Sequence, residues 1–190
     1  MKVYFASQNK NKISEIQSLV PGEFEITGID GITQEELEET GDTLEENAMQ
    51  KARFVARKTN APAFADDTGL EVEALSGAPG VISARYAGPA RDANDNMAKV
   101  LAELRHHTNR NAQFRTVIAY VNGETEFLFE GVVKGSIAEA PTGTSGFGYD
   151  PVFIPEGESR TFAEMSLEEK NAVSHRAKAV RAFVAWLMEQ

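Results

Sequence analysis

A central hairpin most limits the folds open to this chain. "AQFRTVIAYVN" and "TEFLFEGVVKGSIAEA" are both long and apolar enough to form strands, and only Gly123 and Glu124 lie between them. Because a parallel crossover needs about a dozen residues or more, the two strands are expected to pair antiparallel. Helical segments are interspersed with the other strand-like segments, and no internal repeat or linker is present. The sequence therefore predicts an α/β fold in which helices flank a long mixed β-sheet.

The first half of the chain predicts alternating strands and helices. Residues 2–6 read as a buried strand, and apolar side chains recur at helical spacing over residues 10–20. A second strand precedes an acidic loop at residues 30–42. Thr43 and Glu46 then have the spacing of a capping box, so a helix is predicted to begin at Thr43.

Two adjacent carboxylates raise the main functional question. "APAFAD" predicts one strand and "GLEVEAL" another, so Asp66 and Asp67 are expected at the end of the first strand, with Gly69 allowing a turn. Such a pair could hold a divalent cation, or one carboxylate could hold the ion while the other accepts a proton from water. The alternative is ordinary turn chemistry, for which Asp-Asp-Thr-Gly is also suited.

Composition limits which metal ions and which classes of partner are expected. The chain has no cysteine and only three histidines, so an oxygen-preferring ion such as Mg²⁺ or Mn²⁺ is expected and zinc is disfavoured. Glu39 of the acidic loop could supply another carboxylate, although such loops are usually only solvated. The net charge of -10 disfavours long nucleic acids as partners. Without cysteine, signal peptide or an apolar run of ~20 residues, a soluble cytoplasmic protein is expected.

Polar and basic side chains follow the first predicted strand. They are Ser7, Gln8, Asn9, Lys10, Asn11 and Lys12. A helix start beside such donors suits a phosphate group, whereas the simpler interpretation is an exposed polar loop. The chain has no G-x-x-x-x-G-K-[ST] segment, which argues against a P-loop NTPase. Lys51, on the helix after Thr43, could reach a cleft or lie at the surface.

A glycine-rich segment, "GTSGFGYDP", carries two aromatic side chains. Pro151 and a predicted strand follow it where a dinucleotide-binding fingerprint would require a helix. The segment presents Phe147, Gly148, Tyr149 and Asp150. Its aromatic rings could stack on a base, or they could pack into the core.

The C-terminal segment predicts capped helices. Ser166 and Glu169 form a second capping box, and Ser174 is a candidate start for a last helix whose apolar stripe is Val180, Phe183, Val184 and Leu187. Lys170, His175 and Arg176 precede that stripe. They could donate hydrogen bonds to carbonyl oxygens or bind phosphate, or they could be surface charge.

These segments, taken in order, resemble the inosine triphosphate pyrophosphatases, the Ham1-like enzymes of non-standard purine nucleotides. The resemblance rests on "SQNKNK", "TLEENAMQKA", "FADDTGLEVEALSGAPGVISARYAG", "GTSGFGYDPVFIP", "TFAEM" and "EEKNAVSHRAKA", and it runs from residue 3 to about 185. It implies that a homodimer hydrolyses ITP, dITP and XTP to the monophosphate and pyrophosphate, with magnesium. It also implies one domain over residues 1–190, with two lobes and the active site in the cleft between them.

The resemblance also implies roles for individual residues. Asp67 matches the general base, which is also associated with the metal, and Thr68 matches a neighbouring substrate contact. Glu39 matches a metal-site acid. Residues 7–12 match the phosphate-binding loop, and Lys51 would add to their positive field. Base recognition and nucleotide binding fall on Phe147, Gly148, Tyr149, Asp150, Lys170, His175 and Arg176.

The sequence departs from the family pattern in one loop, and two alternative functions remain open. The family often has Thr-Gly-Asn where this chain has Ser7-Gln8-Asn9, so the approach of the loop to phosphate could differ. A Maf-like pyrophosphatase acting on pyrimidine or modified nucleotides would need a different base pocket, and the Ser-His-Arg segment favours the purine interpretation. A nucleotide sensor would hold its ligand without cleaving it.

Overall fold

A mixed β-sheet organises the part of the chain that the structure, a computed structural model, describes: residues 2–30, 32–33 and 37–190. Its strands in chain order are β1 (Lys2–Phe5), β2 (Glu25–Gly28), β3 (Ala63–Val72), β4 (Pro79–Gly80), β5 (Asn111–Asn122), β6 (Thr125–Ile137) and β7 (Phe153–Pro155). The order across the sheet is β2-β1-β3-β5-β6-β7, with β4 paired to β3. β1 is parallel to β2 and β3, whereas β3 with β4 and β6 with β7 are antiparallel. The predicted α/β fold with a mixed sheet is confirmed.

Five α-helices accompany these strands in the described ranges. They are α1 (Lys10–Leu19), α2 (Leu44–Thr59), α3 (Ala93–Glu103), α4 (Leu167–Val173) and α5 (His175–Leu187). The capping boxes predicted at Thr43 and Ser166 both form, and α5 begins directly after Ser174 as expected. None of these helices has the length and apolarity needed to cross a membrane. Residues 31 and 34–36 of the predicted acidic loop lie outside the described residues.

The strand that carries the adjacent carboxylates does not stop at them. β3 continues from Ala63 to Val72, so the prediction of two strands separated by a turn at Gly69 is wrong. Gly69 instead allows β4 to approach closely, because a Cβ at this position would lie 2.7 Å from the Gly80 carbonyl oxygen. Acidic residues are disfavoured in strands on average, but cations face both carboxylates here, and sequence propensity does not take such tertiary partners into account.

The chain folds into two compact units. The first comprises the residues up to Asp67 together with Thr116–Gly131 and His175–Gln190. In its core the Phe64 ring stacks on Phe5 at 4.7 Å and lies 5.0 Å from Phe183. The predicted apolar stripe of α5 is buried in this core. The aromatic packing fixes β1, β3 and α5 against one another, and in this unit β3 carries Asp67 while α5 carries His175 and Arg176.

The second unit comprises Thr68–Arg115 and Val132–Ser174. Its core contains Leu70 of β3, Val100 of α3 and the rings of Phe114, Phe153 and Phe162. The centroid of the Phe114 ring lies 4.6 Å from that of Phe153 and 6.2 Å from that of Phe162. This core supports the glycine-rich segment and α4.

Candidate active site

A buried lysine joins two of the predicted carboxylates in the first unit. Lys51 lies on the inner face of α2 and is only 5% exposed. Its Nζ is 2.6 Å from Oε1 of Glu39 and 3.5 Å from Oδ1 of Asp67, and it donates to the Asp66 carbonyl oxygen at 2.9 Å. The structure thus brings together three residues predicted for catalysis, metal binding and phosphate binding. We call Glu39, Lys51 and Asp67 the Lys51 cluster.

Burial and charge act in opposite directions within the Lys51 cluster. Burial alone would lower the pKa of Lys51, but the negative charges of Asp67 and Glu39 outweigh it, and the pKa is raised. Burial raises the pKa of Asp67, although Lys51 and Lys12 partly oppose it. Oδ2 of Asp67 is buried and accepts no hydrogen bond from the described residues. Asp67 is therefore a more basic carboxylate than usual, with one oxygen available to accept a proton.

Asp66, the adjacent residue, has the opposite surroundings. Its Oδ1 accepts a hydrogen bond from Nζ of Lys12 at 3.0 Å, and its Oδ2 accepts one from Nε of Arg176 at 3.1 Å. Burial would raise the pKa of Asp66, but these two cations outweigh it and hold the pKa well below its ordinary value. Successive side chains of a strand point to opposite faces, which separates the two carboxylates. Asp66 is thus held as an ionised partner of two cations.

The Arg176 guanidinium is buried between two carboxylates. Its Nε donates to Asp66, and its Nη1 donates to Glu15 of α1. Burial would lower the pKa of Arg176, but Asp66 and Glu15 outweigh it and raise the pKa. Sequence reasoning missed Glu15. The available signal was its place beside Ile16 on a helix whose apolar face is buried, but a lone Glu is rarely buried unless paired, and its partner lies 161 residues away.

The predicted phosphate loop forms the start of α1. Asn9 caps this helix, its side chain accepting from the amides of Asn11 at 3.0 Å and Lys12 at 3.3 Å, and the Ser7 hydroxyl accepts from the Asn9 amide at 3.1 Å. Gln8, Lys10 and Asn11 are exposed. Burial lowers the pKa of Lys12 despite the nearby Asp66. An anion that contacted the amides of Asn11 and Lys12 would therefore displace the Asn9 cap.

A second group of candidates meets in the second unit. Nζ of Lys170 lies 2.7 Å from Oδ2 of Asp150, and both side chains are buried. The same Nζ is 5.0 Å from the ring centroid of Phe147, a geometry typical of a cation–π contact. The Tyr149 hydroxyl donates to the Ser83 carbonyl at 2.7 Å, so this ring packs into the core while Phe147 stays half-buried. Burial raises the pKa of Tyr149.

The remaining candidates are described by their backbone conformation and burial. Gly148 has a φ of +62°, a left-handed conformation that favours glycine. Thr68 is half-buried in β3 beside Asp67, and His175 is buried at the start of α5. Lys170, His175 and Arg176 are all buried, so the interpretation as surface charge does not hold for them. Their roles in substrate binding stay predictions, as do those of the other candidates.

The Lys51 cluster fits a hard divalent ion. Within residues 2–30, 32–33 and 37–190 there is no group of three or more His, Cys, Asp or Glu side chains arranged to hold a metal. Magnesium, however, is usually held by one or two carboxylates together with substrate phosphates. Glu39 and Asp67 both contact the Lys51 ammonium, and Oδ2 of Asp67 has no partner in the described part of the chain. Their oxygen-only chemistry suits magnesium or manganese.

Comparison with known proteins then decides the family. The model of the Ham1 family matches residues 3–186. The chain belongs to the Ham1 family. A relative from Flavobacterium psychrophilum named dITP/XTP pyrophosphatase is 54% identical over 185 residues, which cover 97% of each chain. Another relative of that name, from Porphyromonas gingivalis, is 51% identical over 181 residues, covering 94% of this chain and 93% of the relative.

A solved structure gives the same assignment. The HAM1 protein of Coxiella burnetii superposes on this Ham1 chain with a TM-score of 0.92 at 40% identity, covering 100% of both chains. The resemblance inferred from the sequence motifs is therefore confirmed.

Proposed function

We propose that this Ham1 protein hydrolyses ITP, dITP and XTP to the corresponding monophosphate and pyrophosphate. The observation that carries the proposal is the Lys51 cluster, in which a buried carboxylate of raised pKa lies beside a buried ammonium. Relatives named dITP/XTP pyrophosphatase support the choice of substrate.

Asp67 is the proposed general base. Its Oδ2, which accepts no hydrogen bond from the described residues, would accept a proton from a water molecule. The water oxygen bonds to the α-phosphorus in line with the leaving group, and the bond from the α-phosphorus to the bridging oxygen breaks. Pyrophosphate leaves with the bridging oxygen, and the proton stays on Asp67.

Glu39 and Asp67 are the residues proposed to hold Mg²⁺, with Mn²⁺ as the alternative. When bound, the ion would neutralise the negative charge that grows on the departing pyrophosphate. Lys10, Lys12 and Lys51 would supply further positive charge toward the phosphates.

Recognition of the base is proposed to depend on hydrogen-bond donors. Hypoxanthine and xanthine carry an acceptor oxygen at position 6, where adenine carries an amino group. Lys170, His175 and Arg176 are proposed to supply donors, and a buried donor that adenine leaves unpaired would cost ~1 to 3 kcal/mol. Nε and Nη1 of Arg176 also donate to Asp66 and Glu15. Phe147 is the proposed ring for stacking.

A pyrophosphate-release assay across a nucleotide panel tests the proposed function. We expect ITP, dITP and XTP to be cleaved at least about tenfold faster than ATP and GTP, with pyrophosphate as the product. Cleavage confined to pyrimidine or modified nucleotides would favour the Maf-like alternative. Binding of inosine triphosphate without cleavage would favour a sensor.

We also propose a homodimer in the cytoplasm. The dimer is supported by the family resemblance, and the location by the absence of cysteine from the sequence. Sedimentation velocity of the full chain tests the dimer, and a single species at the mass of one chain would contradict it.

A further inference from the structure

The segment that carries Glu39 has no regular secondary structure, yet side chains of α2 hold it at consecutive residues. Oε1 of Gln50 accepts from the Thr40 amide at 3.1 Å, and Oδ1 of Asn47 accepts from the Gly41 amide at 2.8 Å. Nζ of Lys51 contacts Glu39 at 2.6 Å. Positions three and four apart share one face of a helix, so these three α2 side chains form one continuous support. We call residues 38–41 the Glu39 segment.

The Glu39 segment also packs against α2 without spare room. A Cβ at Gly41 would lie 2.5 Å from Cβ of Glu46 and 2.9 Å from Oδ1 of Asn47. Real Cβ atoms do not approach other atoms this closely, so the backbone at Gly41 can rest on the helix only as glycine. The hydrogen bond that the Gly41 amide donates to Asn47 and this close contact together fix Gly41 on α2, two residues from the Glu39 whose carboxylate contacts Lys51.

Asn47 is an unusual residue for a purely structural position. It is fully buried, and its Nδ2 donates no hydrogen bond to any residue that the structure describes. A buried donor without an acceptor destabilises the folded protein, whereas an apolar side chain of similar size would not. The hydrogen bond to Gly41 is therefore the contact that accounts for an asparagine here.

We propose that Asn47 is a positioning residue for the reaction. By holding the Gly41 amide, it keeps the Glu39 carboxylate on Lys51 and beside the Asp67 side chain that contacts the same ammonium. The role proposed for Asn47 requires no contact with substrate or ion. The inference rests on the proposed function, because it is through Glu39 and Asp67 that a divalent ion would be held.

The test compares Asn47→Ala with a matched control, Asn96→Ala, in the full chain. Asn96 of α3 is also a buried asparagine, 4% exposed, and its Oδ1 accepts from the Ala87 amide at 2.7 Å. Both variants lose the hydrogen bond that a loop amide donates to the asparagine, and Asn96→Ala also loses the one from Nδ2 to the Ala84 carbonyl oxygen, but only Asn47 contacts the Glu39 segment. Two quantities are measured: hydrogen exchange at Gly41, and Mn²⁺ binding to the nucleotide-free protein by electron paramagnetic resonance.

For Asn47→Ala we expect faster exchange of the Gly41 amide and Mn²⁺ binding weakened by about 10-fold to 100-fold, as for losses of residues that orient metal ligands. For Asn96→Ala both quantities should stay at the wild-type values. Gln50→Ala serves as a second variant in case Asn47→Ala does not fold, because Gln50 is only half-buried. It should shift both quantities in the same direction.

Three results would overturn the proposal. They are unchanged exchange of the Gly41 amide in both Asn47→Ala and Gln50→Ala, faster exchange of that amide with unchanged Mn²⁺ affinity, or a wild-type protein that binds no Mn²⁺. Failure of the proposed function is a separate result, since it is seen in the wild type alone as the absence of pyrophosphate release from any nucleotide of the panel.

Discussion

At the scale of single residues, Asp66 and Asp67 have opposite electrostatic surroundings although they are neighbours in the sequence. Lys12 and Arg176 donate to the two oxygens of Asp66 and lower its pKa, whereas burial raises the pKa of Asp67. Two adjacent carboxylates with displaced pKa values can take different tasks at one pH. Asp66 is suited to hold cations in place, and Asp67 is suited to accept a proton.

Replacing Asp67 tests its task directly. In Asp67→Asn we expect pyrophosphate release to fall by about 100-fold or more, because an amide cannot accept the proton from water. Folding should not suffer, since the change removes a buried carboxylate whose ionisation opposes folding. The pKa of Asp67 is raised in the folded protein, which therefore binds this proton more tightly than the unfolded chain does. The wild type consequently loses stability relative to Asp67→Asn as pH rises through the folded-state pKa. Wild-type turnover in the variant would contradict the role.

Replacing Asp66 should instead weaken the fold. Asp66→Asn leaves Lys12 and Arg176 without their shared partner, and breaking such a buried pair costs about 3 to 5 kcal/mol at about pH 7. The lowered folded-state pKa means that this stability is present above the unfolded-state pKa and is lost as pH falls through the folded-state value. Urea unfolding at about pH 7 and about pH 3 measures the difference, which should shrink at the lower pH. An equal difference at both values would show that ionisation of Asp66 does not stabilise the fold.

At the scale of elements, the continuity of β3 depends on a close contact with β4. Leu70 pairs with Gly80, and the Gly69 backbone faces the Gly80 carbonyl with no space for a side chain. Because β3 continues past Asp67, it pairs with β1 before this residue and with β4 after it. Pairing at both positions fixes the Asp67 backbone. A turn at Gly69 would have left the same side chain on a loop.

A methyl group at Gly69 is therefore expected to disturb β3. In Gly69→Ala the new Cβ would meet the Gly80 carbonyl at 2.7 Å, and overpacking of this kind costs about 1 to 3 kcal/mol. Gly22→Ala is the matched control, because a Cβ at Gly22 would have no neighbour within 4 Å. Its effect should stay within about 0.5 kcal/mol in denaturant unfolding. Equal stability of the two variants would argue against the close β3–β4 contact.

At the scale of the whole molecule, a buried lysine supplies the positive charge that the two carboxylates of the Lys51 cluster need. The Lys51 ammonium lies against both Glu39 and Asp67 and compensates their negative charge. A buried pair of carboxylates without any cation would be costly, so this lysine stabilises the fold.

Metal removal should consequently affect activity far more than folding. With EDTA we expect pyrophosphate release to fall by about 100-fold or more, because the departing charge loses its stabilising cation. The thermal midpoint should change by less than about 3 °C, since no structural ion is lost. Added Mg²⁺ should restore the rate. Full activity in EDTA would contradict metal dependence, and a large fall in the midpoint would contradict the role given to Lys51.

The helix starts, the hairpin and the apolar face of α5 were determined by the sequence alone, because they depend on residues close along the chain. The capping boxes at Thr43 and Ser166 join positions three apart, and the two-residue connection at Gly123 allows only a hairpin. The apolar stripe of α5 likewise follows from helical spacing. Motif order was enough to indicate the family, although no single motif was specific.

The pairing of charges was decided only by the tertiary structure. Lys51 meets Glu39 across 12 residues, Arg176 meets Asp66 across 110, and Arg176 meets Glu15 across 161. The free energy of a buried charge depends on the partners that surround it, and composition and periodicity carry no information on partners so distant. For the same reason propensity predicted that the strand ends at Asp66 and Asp67, whereas cations from other elements allow it to continue through both.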